Sequence, residues 1–246
     1  MNKELKICLL TLLLNCTIFS VFAIERNDLP TILQNHPDRS LFTKLYKKST
    51  KPIVLFNGKD LTNFYTYDIS NGKNNDPNGD FKVENGLIHF TGKAIGYACT
   101  KRAFKNYYLR VQTRWGENKY GKKEAKRDSG ILYHFSLNEK DTVWPKSVEC
   151  QIKEGDFGDY WFLKGATGVS PNETHSNHVV HTADFEKTHG EWNTIEIICF
   201  DNKSEYYVNG HKVNEAHNLN VEEGKILLQT QLAEVYYKDI VLIPLK

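Results

Sequence analysis

The stretch that decides the fold spans residues 147–154 and reads SVECQIKE. Its polar and apolar residues alternate, which is typical of a β-strand whose two faces have different surroundings. The two-residue period places Glu149, Gln151 and Lys153 together on one face and the apolar residues between them on the other. A polar face of this kind is either solvated surface or a functional site, and the alternation alone leaves both interpretations open.

A second alternating run spans residues 128–135 and reads DSGILYHF. The same period predicts that Asp128 and His134 share the polar face of this strand. The opposite, core-facing side is predicted to hold Ile131, Tyr133 and Phe135.

A third run, residues 110–115, places Arg114 on its polar face beside Arg110 and Gln112. If the three strands are neighbours, a base, an acid, an amide and two cations converge, a combination suited to acid–base chemistry. The residues predicted to meet are His134, Glu149, Gln151, Lys153 and Arg114.

From Ile53 onward, short β-branched and aromatic runs alternate with Asn-Gly turns, and no long helical pattern occurs among them. This pattern predicts an all-β sandwich or barrel. The predicted strands are 81–84, 86–90, 107–115, 129–135, 148–153, 192–200, 204–208, 225–230 and 235–243.

The N-terminus has the pattern of a signal peptide. Residues 1–23 begin with Lys3 and Lys6, continue through an apolar stretch and end at Ala23, which predicts export to the periplasm with cleavage there. Lipoprotein anchoring at Cys16 is the minor alternative. We predict that residues 24–51 form a short helical arm and that residues 52–246 form a single domain.

Charge and cysteine content narrow the function classes. The formal net charge is only +2, so nothing in the electrostatics favours nucleic acid or an anionic membrane, and we expect an uncharged partner. After signal removal, Cys99, Cys150 and Cys199 remain, an odd number that argues against a disulfide scaffold. We interpret them as small buried apolar residues.

Three long polar segments, 71–80, 116–128 and 154–190, are predicted to border a binding face. The last contains Trp161 and is expected to be an ordered lid. It also contains His175, His178 and His181, whose spacing lacks a defined fourth ligand, so no metal site is predicted. A site in which carboxylates hold a divalent cation remains an open alternative.

An opening motif and seven later ones, in order, resemble the 3-keto-disaccharide hydrolase family across nearly all of the mature chain. This resemblance implies a concanavalin A-like jelly-roll β-sandwich of two antiparallel sheets, with a site on the concave face that bears Glu149 and Gln151. The family often has Asn in place of Asp128 and Arg in place of His134, which points to a distinct subfamily. The motifs are 55–61 (LFNGKDL), 81–86 (FKVENG), 114–115 (RW) with 128–131 (DSGI), 149–152 (ECQI), 190–193 (GEWN), 208–210 (VNG) and 226–229 (ILLQ).

The resemblance implies cleavage of 3-keto-glycosides, in which a ketone at C3 acidifies the C2 proton and the glycosidic bond breaks by β-elimination before water adds. Such a reaction needs a base and groups that stabilise an enolate. We assign His134 as the leading base and Glu149 as the alternative, with no required cofactor. The predicted substrate-binding residues are Arg114, Asp128, Gln151, Lys153, Trp115, Trp144 and Trp161.

Two other functions fit the same pattern. A conventional β-glucanase-like glycosidase needs two carboxylates, which Glu149 and Glu154 supply only if a bulge turns Glu154 inward. A lectin-like binding module needs only aromatic platforms such as Trp115, Trp144 and Trp161. The alternative for Trp115 is packing in the core.

Overall fold

The computed structural model describes residues 29–48, 51–172 and 177–246. Two short helices precede an all-β domain. The helices are Thr31–Asn35 (α1) and Arg39–Lys48 (α2). The strands are Ile53–Val54 (β1), Phe64–Asp68 (β2), Gly72–Lys73 (β3), Phe81–Glu84 (β4), Leu87–Phe90 (β5), Ile95–Thr100 (β6), Tyr107–Lys119 (β7), Asp128–Phe135 (β8), Ser147–Lys153 (β9), Tyr160–Leu163 (β10), His178–Val179 (β11), Asn193–Phe200 (β12), Lys203–Val208 (β13), His211–Ala216 (β14), Lys225–Gln231 (β15) and Ala233–Pro244 (β16).

The strands form two antiparallel sheets, as expected for a jelly-roll sandwich. Sheet I has the order β14-β13-β12-β7-β16-β5-β4, and β1 also pairs with β16. Sheet II has the order β11-β10-β9-β8-β15-β6-β2-β3. The two halves of the chain therefore contribute strands to both sheets, so the sandwich closes only through long-range pairing.

One large apolar cluster fills the space between the sheets. As the alternation predicts, Ile131 and Tyr133 of β8 and Cys150 and Ile152 of β9 point into it. Cys99, Cys150 and Cys199 are free and buried, which confirms their interpretation as small apolar residues. The other side of β8 and β9 is thus left to carry chemistry.

The helical arm packs on the outer side of sheet I. Leu33 of α1 and Phe42 of α2 lie against Tyr108, Ile198 and other apolar side chains that face away from the core. His36 of the arm also bonds Glu205 at 3.0 Å. None of the described helices has the length and apolar character needed to span a bilayer. The predicted signal peptide and Cys16 lie outside the described residues.

All nine predicted strands are present, and the structure adds others. Segment 154–190, the expected lid, contains β10 and β11, and these two short strands extend sheet II at its edge. Segment 71–80 similarly contributes β3. These additions widen sheet II on both sides of Glu149.

Candidate active site on the outer face of sheet II

The strand register gathers a set of side chains on the face of sheet II that points away from the core, here called the open face. Glu149 stands in a row that crosses seven strands. In order across the sheet, the row is His178, Trp161, Glu149, Leu132, Leu227, Cys99 and Tyr65. Asp128 and Lys153 are paired directly four residues along the same strands, with Gln231 beside Asp128.

Glu149 lies over Gly130 in the middle of this face. A Cβ atom at Gly130 would be 2.0 Å from Oε1 of Glu149, so only glycine leaves room for the carboxyl group in this position. Glu149 is only 4 % exposed. Burial, reinforced by the charge of Asp128, raises its pKa to about 8.

Asp128 is the carboxylate whose charge reaches Glu149. Burial raises its pKa to about 6, the positive charge of Lys153 opposes this rise, and Asp156 adds to it. Lys153 also lies 3.3 Å from Asp156, so its positive charge acts on both aspartates. At neutral pH the open face therefore holds one protonated and one ionised carboxyl group that interact electrostatically.

Two buried amides surround the same glycine. The Oε1 atoms of Gln151 and Gln229 have no hydrogen-bond partner in the described part of the chain. Gln229 donates from Nε2 to Gln231 at 3.0 Å, and its own Oε1 lies close to the space above Gly130. Buried acceptors without donors are costly unless a ligand or water satisfies them, so these atoms are suited to sugar hydroxyls.

Trp161 borders Glu149 on the neighbouring strand. Its ring stacks on His178 at 4.1 Å between centroids. Buried Asp159 holds His178 at 2.7 Å and His181 at 2.6 Å. Both histidines are therefore hydrogen-bonded to a buried carboxylate of the fold. No cluster of three metal-ligating side chains occurs among the described residues. His175 lies outside them.

A pocket of about 380 Å³ opens beside Asp128. Its volume lies within the range of small-molecule sites. It is lined by Lys119, Gly121, Ala125, Lys126, Asp128, Lys153, Gln231 and Leu232. This pocket extends the open face away from Glu149, on the side of Asp128.

On the other side of Glu149, the face is closed by polar groups that the sequence did not reveal. Asp141, from the loop between β8 and β9, accepts hydrogen bonds from Tyr65 at 2.6 Å and Tyr97 at 2.9 Å. Lys73 donates to the same carboxylate at 3.2 Å, and Lys225 donates to the Tyr65 hydroxyl at 3.3 Å. No local sequence pattern connects residues from such distant segments.

His134 does not join Glu149, contrary to the prediction. Its backbone adopts a left-handed conformation with φ of 61°, and the pairing of β15 with β8 is irregular beyond Leu132. This breaks the alternation, so Phe135 lies on the open face while His134 contacts Tyr107 and Tyr133. Burial lowers the pKa of His134 to about 4, and its Nδ1 donates to the Val221 carbonyl at 3.0 Å.

Arg114 and Trp115 are also elsewhere. Arg114 lies on the outer face of sheet I, over the rings of Trp192 and Tyr236 at 5.0 Å. Trp115 is buried in the core and approaches Phe157, which matches its packing alternative. The prediction failed because β7, which carries both residues, is paired in sheet I with β12 and β16 and not with β8 or β9.

Four of the remaining predicted residues lie on strands of the open face, and Trp144 lies on a loop. Asp128, Gln151, Lys153 and Trp161 share the open face with Glu149. Trp144 is 36 % exposed and lies on the loop that carries Asp141. Glu154, required by the glucanase alternative, is bound by Arg127 through the side chain at 2.8 Å and the backbone at 2.9 Å.

The fold is shared with solved bacterial structures. A "putative glycosyl hydrolase" from Parabacteroides distasonis ATCC 8503 aligns with a TM-score of 0.58 and 22% identity, covering 79% of this chain and 94% of that one. A second so named from the same organism has a TM-score of 0.55 and 19% identity, covering 80% and 100%. A galectin-like protein of unknown function from Bacillus subtilis has a TM-score of 0.53 and 10% identity, covering 80% and 97%.

No curated protein matches the chain. Residues 51–243, in contrast, match the family described as the 3-keto-alpha-glucoside-1,2-lyase-like domain. The match includes every strand except the last residue of β16, and it includes the whole open face. The chain therefore belongs to the 3-keto-alpha-glucoside-1,2-lyase-like domain family.

Proposed function

We propose that this protein cleaves 3-keto-glycosides by β-elimination, with Asp128 as the proton acceptor and Glu149 as the proton donor. Its family supports the broader description of a carbohydrate-active, hydrolase- or lyase-like protein. The observation that carries the finer proposal is a pair of carboxyl groups on one face of sheet II, Glu149 above Gly130 and Asp128 two residues from that glycine, whose pKa values lie near 8 and 6. Carboxyl groups whose environments separate their pKa values are suited to opposite roles in acid–base catalysis.

The chemistry follows from the ketone. A carbonyl at C3 stabilises negative charge at C2, so a carboxylate can remove the C2 proton and the electron pair passes into an enolate. When the enolate collapses, a C1–C2 double bond forms and the C1–oxygen bond breaks. The departing oxygen takes a proton, and addition of water across the double bond gives net hydrolysis. The reaction as proposed needs no cofactor, since the substrate itself carries the ketone.

The two carboxyl groups meet the protonation states that these steps require. Asp128, with a pKa of about 6, is ionised at neutral pH and can accept the C2 proton. Glu149, with a pKa of about 8, is protonated and can donate to the departing oxygen. This assignment gives the role of base to Asp128, whereas the sequence had suggested His134.

Neighbouring groups support binding of the sugar and the enolate. Lys153 pairs with Asp128 in the strand register and supplies positive charge on the open face. Negative charge that develops on the C3 oxygen is stabilised most strongly by such preorganised charges and donors. The Oε1 atoms of Gln151 and Gln229 have no hydrogen-bond partner among the described residues and would accept hydrogen bonds from sugar hydroxyls that reach them. Export to the periplasm, predicted from residues 1–23, remains part of the proposal.

The test compares native and 3-keto forms of the same glucosides. Wild-type protein should release the aglycone only from the 3-keto forms. Glu149→Gln and Asp128→Asn should each lower kcat/KM by about two to four orders of magnitude, the usual cost of losing an acid–base group. The matched control is Glu215→Gln, which removes a half-buried carboxylate that pairs with Lys212 on β14, in sheet I. It should act like wild type.

A binding module is the second candidate, favoured by the half-buried ring of Trp161 beside Glu149. Aromatic faces of this kind stack on sugars. Calorimetric binding of both native and 3-keto glucosides, without turnover of either by the folded wild-type protein, would support this candidate and contradict the proposed reaction.

A further inference from the structure

The open face is polar and accessible at one end but apolar and covered at the other. The covered end consists of Tyr65, Tyr97, Cys99, Leu132, Phe135 and Leu227, all buried. The register places them on the same face as Glu149, away from the sandwich core. Apolar side chains on an outer face stay buried only under a cover, which must come from another part of the chain.

The loop 136–146 is bound to this end through one side chain. Asp141 Oδ1 accepts hydrogen bonds from the hydroxyls of Tyr65 and Tyr97, and its Oδ2 accepts from Lys73. The loop leaves from β8, and these donors belong to β2, β6 and β3, so it crosses over β15. Val143 of the same loop is buried.

Electrostatics favours this arrangement. Partial burial raises the pKa of Asp141, but the hydrogen bonds from Tyr65, Tyr97 and Lys73 outweigh it and hold the pKa below its ordinary value. Lys73 also lies 3.6 Å above the Tyr65 ring. Asp141 therefore stays ionised at neutral pH, and charge-assisted hydrogen bonds of this kind are stronger than neutral ones.

Glu149 stands at the boundary between the two ends. Its strand neighbour on one side is Leu132, which is fully buried under the covered end, and on the other side it is the half-buried Trp161. Asp128 and the pocket of about 380 Å³ extend in the open direction. A sugar held over Glu149 therefore has free space along the strands toward Asp128 and a wall across the sheet at Leu132.

We propose that Asp141 is a specificity-determining residue, which holds the loop 136–146 across the open face and closes it beyond Glu149. This inference rests on the proposed function. The ring that carries the ketone lies against the closed end and must be the terminal unit of its chain. The departing group points toward the pocket beside Asp128, which has room for a longer departing group.

The experiment uses two series of 3-keto-glucosides. In the first series, the departing group is lengthened from one to three sugars. In the second, a further glucosyl group is attached to O4 of the keto sugar. Wild-type protein should cleave the first series at similar kcat/KM and should disfavour the second by about tenfold or more, the range expected when a pocket excludes one group.

Asp141→Ala should reduce that preference by about tenfold while the unextended substrate is cleaved within about threefold of the wild-type rate. Asp141→Asn and Tyr97→Phe, which each weaken the hydrogen bonding that holds the loop 136–146 in place, should give intermediate ratios even if Asp141→Ala folds poorly. Glu215→Ala should leave the ratio unchanged.

The outcomes separate the two proposals. Equal cleavage of both series by wild-type protein, or an unchanged preference in all the folded Asp141 and Tyr97 variants, would overturn the role of Asp141 and leave the proposed function intact. Failure of wild-type protein to cleave any 3-keto-glucoside would overturn both.

Discussion

At neutral pH, Asp128 and Glu149 differ in protonation although both are carboxylic acids on one face of one sheet. Burial raises the pKa of each, but Lys153 opposes the rise at Asp128, whereas the negative charge of Asp128 adds to it at Glu149. Alternation in the sequence placed Asp128, Glu149, Gln151 and Lys153 on a polar face. It could not show which carboxyl would be protonated, because that depends on burial and on Gly130, which lets Glu149 lie flat.

The first prediction concerns pH. Since Asp128 must be ionised, kcat/KM should rise as the pH increases through about 6; since Glu149 must be protonated, it should fall above about 8. In the pH profile of the residual activity, Asp128→Asn should lose the rise through about pH 6, and Glu149→Gln should lose the fall above about pH 8. Activity that increases steadily from pH 6 to pH 9 would show that Glu149 acts as a base instead.

At the scale of the strand, β8 shows where sequence reasoning succeeds and where it fails. From Asp128 to Tyr133 the observed faces follow the predicted period. At His134 the left-handed backbone inserts an irregularity that reverses the faces of the next residues. Left-handed conformations are uncommon for residues with a side chain; histidine adopts them more often than most, but still too rarely for the residue type to predict one here.

Substitution of His134 therefore tests structure and not catalysis. His134→Ala removes the bond to the Val221 carbonyl and the ring contacts with Tyr107 and Tyr133, so it should lower the free energy of unfolding by about 1–3 kcal/mol. The kcat/KM of the folded fraction should stay within about twofold of wild type, because the ring does not reach the open face. A loss of activity by two orders of magnitude at unchanged stability would restore His134 as the base.

Two of the missed strands, β6 and β2, were missed for the same physical reason. β6 is buried on nearly every residue and β2 on both of its faces, so neither shows the alternation used to find half-exposed strands. β14 is short and polar. Since β6 and β2 carry Tyr97 and Tyr65, the closed end of the site was missed with them. The sequence could have indicated Gln229 as a site residue, because it lies in a predicted strand and in a family motif.

At the scale of the whole molecule, the two outer faces of the sandwich have different uses. The outer face of sheet I is partly covered by the helical arm, whose Leu33 and Phe42 pack on it. The outer face of sheet II carries the carboxyl pair. The hydrophobic core lies between them, so a change in the arm should reach the site only through the stability of the fold.

Leu33→Ala tests this separation. Leu33 is fully buried against sheet I, and truncation of a buried leucine typically lowers the free energy of unfolding by about 2–5 kcal/mol. Leu41→Ala, at an exposed position of α2, is the control and should change stability by about 0.5 kcal/mol or less. Denaturant unfolding gives both values, and kcat/KM should be unchanged in each. Equal stability of the two variants would mean that the arm contributes little to the fold.

The most direct test of the central claim follows the C2 proton. A 3-keto-glucoside carrying deuterium at C2 is compared with its protonated form in single-turnover release of the aglycone by wild-type protein. Removal of this proton by Asp128 predicts slower release from the deuterated substrate, together with no release from the native glucoside. Equal release rates from the two isotopic forms, with cleavage of the native glucoside as well, would contradict elimination and indicate ordinary glycosidic hydrolysis.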